Sequence, residues 1–251
     1  MVLLRSVAAN NCLTIISQVH QTIAANNIRD ECSHLFMNKK QLAIFLSKLA
    51  VFDDPDAAKE QYPTDSEIAA DLLWHIHMHG GLQDRTVADL GSGTGILGLG
   101  ALLLGARKVY FVDEDEKTFD LLEQNADYAQ NQLGIELRDA IKMVKKDVEA
   151  LSHDDFEEKL DVVIQNPPFG TREEHADTLF LEAAMRLAPH IYSFHKSSTI
   201  DYIMRKLTEG GFIVKMVLNY QFPLKRTMAH HQKKIERIDV FCVDAIRQDK
   251  K

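Results

Sequence analysis

The sequence predicts an α/β fold, in which helices cover both faces of a doubly wound, mostly parallel β-sheet. Short apolar runs typical of buried strands alternate along the chain with longer segments whose apolar residues recur at helical spacing. A glycine-rich loop at residues 91–95 follows the first of these runs and precedes an apolar helix at 96–104. Strand, glycine loop and helix in this order are typical of a nucleotide-type site.

The chain is long enough for one domain with a sizeable core, since it has 251 residues of which 45% are hydrophobic. We place this domain at residues 38–251 and regard residues 1–37 as an N-terminal extension with a weak helical pattern. Either the extension is loosely attached, or translation starts at Met37. The candidate strands are residues 86–90, 107–113, 141–147, 160–165, 190–194, 212–219 and 238–246.

Composition excludes several classes of protein. The net charge of −8 argues against a general nucleic-acid coat, so any contact with RNA or DNA must use a local basic patch. Cys12, Cys32 and Cys242 show no paired spacing, which argues against a disulfide framework or a zinc site and fits a reducing interior. No apolar run approaches the roughly 20 residues of a membrane span. We therefore expect a cytoplasmic protein, or also a nuclear one if it is eukaryotic.

The stretch Asn166-Pro167-Pro168-Phe169 directly follows the candidate strand at 160–165. Proline has no N–H and a fixed φ, so two prolines end the strand in a stiff tetrapeptide at the carboxyl end of the sheet, where such folds bind ligands. The side-chain oxygen of Asn166 and a proline carbonyl suit the two N–H groups of an amine on a flat ring, such as adenine N6. Stacking of Phe169 on the base would contribute roughly 1–3 kcal/mol. The alternative is a rigid turn after a strand.

The glycine loop predicts close approach of the backbone to a ligand. Gly91 and Gly93 permit a tight turn into the helix, but the spacing is not that of the dinucleotide fingerprint. Asp89 lies two residues ahead of the loop, a position that suits a ligand amine or sulfonium better than a pyrophosphate. The loop therefore favours a nucleoside-type cofactor other than a dinucleotide.

Two further carboxylates end candidate strands. Asp113 comes 22 residues after Gly91, where a carboxylate can accept hydrogen bonds from both hydroxyls of a ribose. Asp147 ends the third strand and can accept from an adenine amino group, although a simple strand-end turn is an equal alternative. The two positions predict an adenosine moiety at the carboxyl edge of the sheet.

Two polar segments lie outside this set. Pro63 breaks a preceding helix and Thr64 can cap a new one at 65–79, whose N-terminus either favours anions or is only a helix start. His195 and Lys196 follow a strand at the same edge as Asn166. A catalytic histidine is one reading, but we favour positioning of a substrate phosphate or a role in the structure of the rim.

The stretch at 225–234 is the only dense basic segment in this acidic chain. It is either a solvated hairpin or a contact with an RNA backbone, which would be sensitive to salt. His230 and His231 lie within it, but no acidic or cysteine partners are spaced to complete a metal site. No metal is predicted.

Taken together, the glycine loop, the strand-end carboxylates and the Asn-Pro-Pro-Phe element resemble class I S-adenosylmethionine-dependent methyltransferases of the N6-adenine type. Glu60-Gln61-Tyr62-Pro63-Thr64 and His195-Lys196-Ser197-Ser198 are more specific, and are similar to the archaeal and eukaryotic family that modifies N6 of adenosine in small-subunit ribosomal RNA. The resemblance covers about residues 38–247. The Asn-Pro-Pro-Phe element alone is shared with DNA, protein-glutamine and guanine-N2 methyltransferases.

The resemblance implies a Rossmann-like, seven-stranded sheet whose last hairpin is antiparallel, and S-adenosyl-L-methionine as cofactor. Gln61 and Thr64 would contact its methionine part, Asp113 its ribose and Asp147 its adenine. Asn166 and Pro167 would hold the target amine for direct displacement, which needs no metal and no covalent enzyme intermediate.

The family also implies a small zinc-binding activator protein that covers an apolar edge of the sheet. We expect an exposed strand around 109–111 to be the edge that the activator covers. Ser92 stands where eukaryotic members carry cysteine, and segment 221–234 matches the family's basic motif only loosely. Rival predictions are another acceptor amine, on DNA adenine or protein glutamine, and a non-catalytic, ribosome-associated protein that binds S-adenosylmethionine. An NAD-dependent dehydrogenase is the weakest alternative.

Overall fold

The computed structural model describes residues 37–52, 63–169, 176–225 and 235–248. The predicted N-terminal extension, apart from Met37, lies outside these ranges. The helices are α1 Lys39–Leu46, α2 Ser66–Met78, α3 Ile96–Leu103, α4 Glu116–Leu133, α5 Ala176–Leu187 and α6 Ile200–Glu209. The strands are β1 Thr86–Leu90, β2 Lys108–Asp113, β3 Ile141–Lys145, β4 Val162–Gln165, β5 His190–Lys196, β6 Phe212–Lys225 and β7 Ile235–Arg247.

The described strands form one seven-stranded sheet in the order β3-β2-β1-β4-β5-β7-β6. Strands β1 to β5 are parallel, and β7 pairs antiparallel with both β5 and β6. The predicted fold class, including the antiparallel last hairpin, is confirmed. From β1 the chain first builds the sheet outward through β2 and β3, then returns to add β4 and β5 on the other side. The carboxyl ends of β1 and β4 therefore form the topological switch point where open α/β sheets bind ligands.

Next to the switch point, α3 packs tightly against the sheet and against α2. The helix carries glycine where its neighbours come closest: a Cβ on Gly98 would lie 2.3 Å from the Phe111 ring, and one on Gly100 would lie 2.4 Å from a Leu73 methyl group. All five residues of β1 are buried as well. The first strand and the helix after it therefore form a rigid base for the loop that connects them.

The position of β2 corrects one prediction. We expected an exposed apolar strand around residues 109–111, but Val109 and Phe111 are fully buried, because β2 pairs with β1 on one side and β3 on the other. The outer strand on this side of the sheet is β3, on which Met143 is 37% exposed. An apolar run shows that a strand is buried, but it does not show whether the strand is central or at an edge.

Several boundaries also differ from prediction. Asp65, not Thr64, caps α2, because its carboxylate accepts hydrogen bonds from the backbone N–H groups of Glu67 and Ile68. The last two strands are longer than predicted, with 14 and 13 residues. Their length carries the sheet into the first residue of the basic stretch, whose remainder at 226–234 lies outside the described residues. None of the helices described is both long and apolar enough to span a membrane.

Candidate active site

The two predicted ligand-binding segments leave the sheet side by side. Leu90 and Gln165 are register partners at the ends of β1 and β4, so the glycine loop and Asn166 both begin one residue beyond this pair. All three loop glycines have left-handed backbones, with φ of +65° at Gly91, +50° at Gly93 and +78° at Gly95. A side chain at Gly91 would also bring its Cβ to 2.9 Å from the Phe180 ring. The loop therefore requires glycine for its conformation and, at Gly91, for space.

Asp89 is fully buried on β1, and its carboxylate accepts a 2.8 Å hydrogen bond from the backbone N–H of Gly98, in the first turn of α3. Burial raises its pKa well above the ordinary value, and the neighbouring charge of Asp113 acts in the same direction. Asp89 thus fastens the loop–helix junction through the free N–H groups of the helix start. Its predicted contact with a ligand amine or sulfonium stays a prediction.

Asp113 ends β2 and uses each carboxylate oxygen once. One oxygen accepts from the backbone N–H of Gly93 at 3.0 Å, and the other accepts from that of Asp115 at 3.0 Å. Burial raises the pKa of Asp113, while these two hydrogen bonds oppose the rise. A carboxylate offers about four lone-pair positions, so Asp113 retains acceptor capacity for a ribose beside the glycine loop.

Asp147 lies in an exposed turn two residues after β3, and its carboxylate accepts from the backbone N–H of Glu149 at 2.9 Å. The geometry is that of the strand-end turn weighed as the alternative to adenine binding. One hydrogen bond leaves the carboxylate further acceptor capacity, so the two roles are compatible.

Asn166 carries the most informative polar atom of the site. Its side-chain nitrogen donates a 3.0 Å hydrogen bond to the hydroxyl oxygen of Thr64, while its oxygen Oδ1 is buried and has no hydrogen-bond partner among the described residues. A buried acceptor without a partner is costly, unless a ligand supplies the donor. Thr64 is itself buried immediately before α2. Gln61, predicted alongside it, lies outside the described residues.

The rest of the tetrapeptide forms a partly covered wall. Pro167 is buried, whereas Pro168 and Phe169 are half-buried. The Phe169 ring meets that of Phe222 edge to face, with centroids 5.7 Å apart and planes at 87°. Phe222 lies on β6 beyond residue 219, where the sequence pattern predicts the end of that strand, so it was not predicted as part of the site. The continued aromatic alternation at Tyr220 and Phe222 was the available signal.

Asn125 on α4 is a second residue that sequence reasoning missed. Its side-chain nitrogen donates to the carbonyls of Thr94 and Ala50, at 2.9 and 3.0 Å, and its oxygen accepts from the N–H of Ala50 at 2.7 Å. It therefore joins the glycine loop to the segment that follows α1. Ser92, in the same loop, is buried, and its hydroxyl has no partner among the described residues. This hydroxyl is a further polar atom available to a ligand.

The structure corrects one part of the prediction for His195, its contact with a substrate phosphate. The side chain is fully buried, with Nε2 2.8 Å from the hydroxyl of Ser193 and Nδ1 3.6 Å from a carboxylate oxygen of Asp177. Burial lowers its pKa, although Asp177 opposes the shift. A neutral imidazole inside the core cannot reach a substrate phosphate. Lys196 is half-buried at the end of β5 and remains a candidate for that contact.

No three histidine, cysteine, aspartate or glutamate side chains in the described ranges are grouped so that they could hold a metal ion. His230 and His231 lie outside those ranges. The polar groups gathered at the switch point are backbone N–H groups, carboxylates, an amide and hydroxyls. These groups suit an adenosine-containing organic ligand rather than an ion.

Comparison with known proteins identifies the family. The profile of the family described as "Methyltransferase small domain" matches residues 66–190. The rRNA N(6)-adenosine-methyltransferase METTL5 of Danio rerio is 34% identical over 207 residues, which are 81% of this chain and 96% of the relative. The chain belongs to the rRNA N(6)-adenosine-methyltransferase family. The Drosophila melanogaster member, Mettl5, is 33% identical over 204 residues, covering 80% of this chain and 92% of its own length.

A solved structure agrees with this assignment. PH1948 of Pyrococcus horikoshii, a proposed RNA methyltransferase, superposes with a TM-score of 0.73 at 36% identity, covering 85% of this chain and 99% of its own. As a class I methyltransferase, the chain uses S-adenosyl-L-methionine as its cofactor. The unpartnered oxygen of Asn166, the unpartnered hydroxyl of Ser92 and the remaining acceptor capacity of Asp113 fit a nucleoside cofactor and an amine at this edge of the sheet.

Proposed function

We propose that this chain methylates N6 of an adenosine in structured RNA, and that the RNA is that of the small ribosomal subunit. The observation that carries the proposal is the buried, unpartnered oxygen of Asn166, at the carboxyl end of β4 and one residue beyond the register partner of Leu90. This oxygen is a hydrogen-bond acceptor that is available to an N–H donor of a ligand bound beside the glycine loop. The family membership supports adenosine as the source of that donor.

On the cofactor side, Gly91 and Gly93 bring the backbone close to the ligand, and Asp113 accepts from the ribose hydroxyls. Asp147 accepts from the adenine amino group. Gln61 and Thr64 contact the methionine part. Asp89 holds the glycine loop and the start of α3 in their relative positions, and it faces the positively charged groups of the ligand. The contacts of Asp113 and Asp89 with the loop and its helix support these assignments.

On the acceptor side, the side-chain oxygen of Asn166 and the carbonyl of Pro167 each accept one hydrogen bond from the target amine. The amine lone pair of adenine is delocalised into its ring, so holding both N–H groups biases the nitrogen toward the tetrahedral shape it needs as a nucleophile. Pro168 stiffens the segment, and Phe169 stacks on the base. S-adenosyl-L-methionine supplies the electrophilic methyl group, and orientation of the amine accounts for most of the acceleration.

A base within structured RNA must leave its stack to reach this pocket. The wall formed by Phe169 and Phe222 is suited to receive it, since an aromatic side chain offsets part of the lost stacking. Lys196 and the basic stretch at 225–234 would contact the RNA backbone, and these contacts weaken as salt concentration rises. An RNA substrate places the protein in the cytoplasm, or also in the nucleus of a eukaryote.

We also propose that a small zinc-binding activator protein docks on the edge strand β3. Among the described strands, β3 has a neighbour only on the β2 side, and Met143 is 37% exposed on it. Such an edge can accept a strand from a partner through main-chain hydrogen bonds. This site replaces the predicted one on β2, which is buried.

The test is incubation with labelled S-adenosyl-L-methionine and small-subunit rRNA, followed by resolution of the nucleosides by mass, with and without an activator. We expect N6-methyladenosine from the wild type and a loss of at least about a hundredfold in Asn166→Ala. Asn219→Ala is the matched control, because Asn219 is exposed on β6 and its removal should leave the product unchanged. Equal activity of the Asn166→Ala variant and the wild type would contradict the proposed role of Asn166.

The same experiment separates the rival functions. Label on DNA or protein, without a product on RNA, would retain the amine-methylating site and overturn the substrate. Binding of the cofactor without transfer to any acceptor, with or without activator, would favour a non-catalytic, ribosome-associated protein.

A further inference from the structure

A row of buried polar side chains extends from the end of β4 across β5 toward α5. The side-chain nitrogen of Gln165 donates to the hydroxyl of Ser193 at 2.8 Å, and this hydroxyl lies 2.8 Å from Nε2 of His195. Nδ1 of His195 lies 3.6 Å from a carboxylate oxygen of Asp177. Gln165, Ser193 and His195 are each fully buried, and the first two are register partners in the sheet.

The donor and acceptor groups of these side chains fix the direction in which each hydrogen bond runs. The amide nitrogen of Gln165 can only donate, so the hydroxyl of Ser193 accepts from it and turns its own hydrogen toward Nε2 of His195. In a neutral imidazole the proton then resides on Nδ1, the nitrogen that faces Asp177. Burial, which lowers the pKa of His195, favours this neutral form. The three side chains thus form one ordered relay of hydrogen bonds.

The relay is costly for a structural core. Polar groups buried between strands require full satisfaction to balance their desolvation, yet the oxygen Oε1 of Gln165 and Nδ1 of His195 have no hydrogen-bond partner in the described part of the chain. Apolar side chains of similar size would fill the same space without that cost. A polar relay at this place therefore points to a role beyond packing.

Its location indicates what that role is. Gln165, at one end of the relay, directly precedes Asn166, and Nδ1 of His195, at the other end, faces Asp177 in the first turn of α5. The two prolines after Asn166 have no N–H groups with which a ladder could fix their position. Side-chain hydrogen bonds can hold this part of the chain instead, from Asn166 to Thr64 and, one residue earlier, from Gln165 to Ser193.

We infer that Ser193 and His195 are positioning residues for methyl transfer, which hold Gln165, and through it the amide of Asn166, in the orientation that receives the target amine. The inference rests on the proposed function of Asn166. Neither residue touches substrate. A small displacement of a group that orients a nucleophile is costly, and 1 Å can reduce the rate about a hundredfold.

The test compares Ser193→Ala with Tyr192→Phe. Tyr192 is the adjacent, fully buried residue of β5, and its hydroxyl has no partner among the described residues, so its removal deletes a buried hydroxyl outside the relay. For both variants one measures the Kd for S-adenosyl-L-methionine, the KM for RNA, and kcat per cofactor-binding site. We expect Ser193→Ala to lower kcat about tenfold or more with the cofactor Kd within about twofold of wild type, while Tyr192→Phe matches the wild type.

A second readout does not depend on turnover. The side-chain amide resonance of Asn166, assigned by its absence from the Asn166→Ala spectrum, should shift in Ser193→Ala and stay in place in Tyr192→Phe. Equal kcat per binding site in the two variants, or an unshifted Asn166 resonance in Ser193→Ala, overturns the inference. A wild type that does not methylate RNA overturns the proposed function instead, and the resonance still decides the positioning role. If Ser193→Ala does not fold, Ser193→Cys, a weaker hydrogen-bonding group, is measured against the same criteria.

Discussion

The side-chain nitrogen of Asn166 donates a 3.0 Å hydrogen bond to the hydroxyl oxygen of Thr64, which is 102 residues earlier in the chain. The bond joins the segment that precedes α2 to the end of β4. It engages the donor end of the amide and leaves the acceptor end, Oδ1, without a partner among the described residues. Thr64 thereby helps to decide which end of Asn166 is available to the target amine.

Replacement of Thr64 tests this arrangement. In Thr64→Val the nitrogen of Asn166 loses its acceptor in a partly buried site, at a cost of about 1–3 kcal/mol. We expect kcat/KM for RNA methylation to fall about tenfold to a hundredfold. Thr64→Ser keeps the hydroxyl and should retain most of the activity. A valine variant as active as wild type, or a serine variant as impaired as the valine variant, would contradict the role of this hydroxyl.

The role of the glycine loop can be tested by comparing Gly91, in the loop, with Gly134, a control outside it. Both have φ of +65°, but a Cβ at Gly91 would lie 2.9 Å from the Phe180 ring, whereas a Cβ at Gly134 would meet nothing within 4 Å. Each alanine variant should lose about 1–2 kcal/mol of unfolding free energy through backbone strain. Crowding against Phe180 should cost Gly91→Ala roughly a further 1 kcal/mol.

Urea unfolding and cofactor titration check the pair. Only Gly91→Ala should also bind S-adenosyl-L-methionine more weakly, since Gly134 ends α4 and is not part of the glycine loop. The same loss of cofactor affinity in both variants would mean that the effect comes from general destabilisation rather than from the loop.

The parts of the site that were predictable from sequence are those whose conformation is determined by a short stretch of neighbouring residues. A glycine loop between an apolar strand and an apolar helix, and two prolines directly after a strand, each define a conformation within a few residues. The order of strands and helices then brings the loop and the tetrapeptide to one edge of the sheet. Thus Asp113 and Asn166 were predicted in the region where the structure places them.

The features that sequence reasoning missed or misplaced depend on distant contacts. Asn125 bonds to Ala50, 75 residues away, and no pattern around either residue indicates the pairing. His195 follows a strand like an ordinary rim residue, yet continuation of β5 to residue 196 and pairing with β7 bury it. The burial of Val109 follows from the central position of β2, which is set by strand order and not by composition.

Burial of Asp89 predicts a particular dependence of stability on pH. Its folded-state pKa is raised well above 3.8, so between that ordinary value and the folded pKa the folded state holds a proton that the unfolded state lacks. Wild-type stability relative to Asp89→Asn should therefore rise as pH falls through the folded pKa toward 3.8, and level off below it. Above the folded pKa the difference should be constant.

Urea unfolding of both proteins over a pH series measures this difference directly. Asparagine can still accept from the N–H of Gly98, so the variant should fold with α3 intact, while its affinity for the positively charged cofactor should fall. If the stability difference is independent of pH, or changes in the opposite direction, the carboxyl does not titrate as its burial requires.

The proposed docking of an activator on β3 is tested by two methionines of similar exposure on opposite outer strands. Met143 on β3 is 37% exposed, and Met216 on β6 is 39% exposed. Met143→Lys should weaken activator binding about tenfold or more, because a charge must be desolvated at the interface, and should remove the stimulation of methylation. Met216→Lys should leave both unchanged, and neither variant should alter cofactor affinity in the isolated chain. Titration calorimetry with the activator distinguishes the outcomes: equal weakening by the two variants would place the activator elsewhere, and loss caused by Met216→Lys alone would place it on β6.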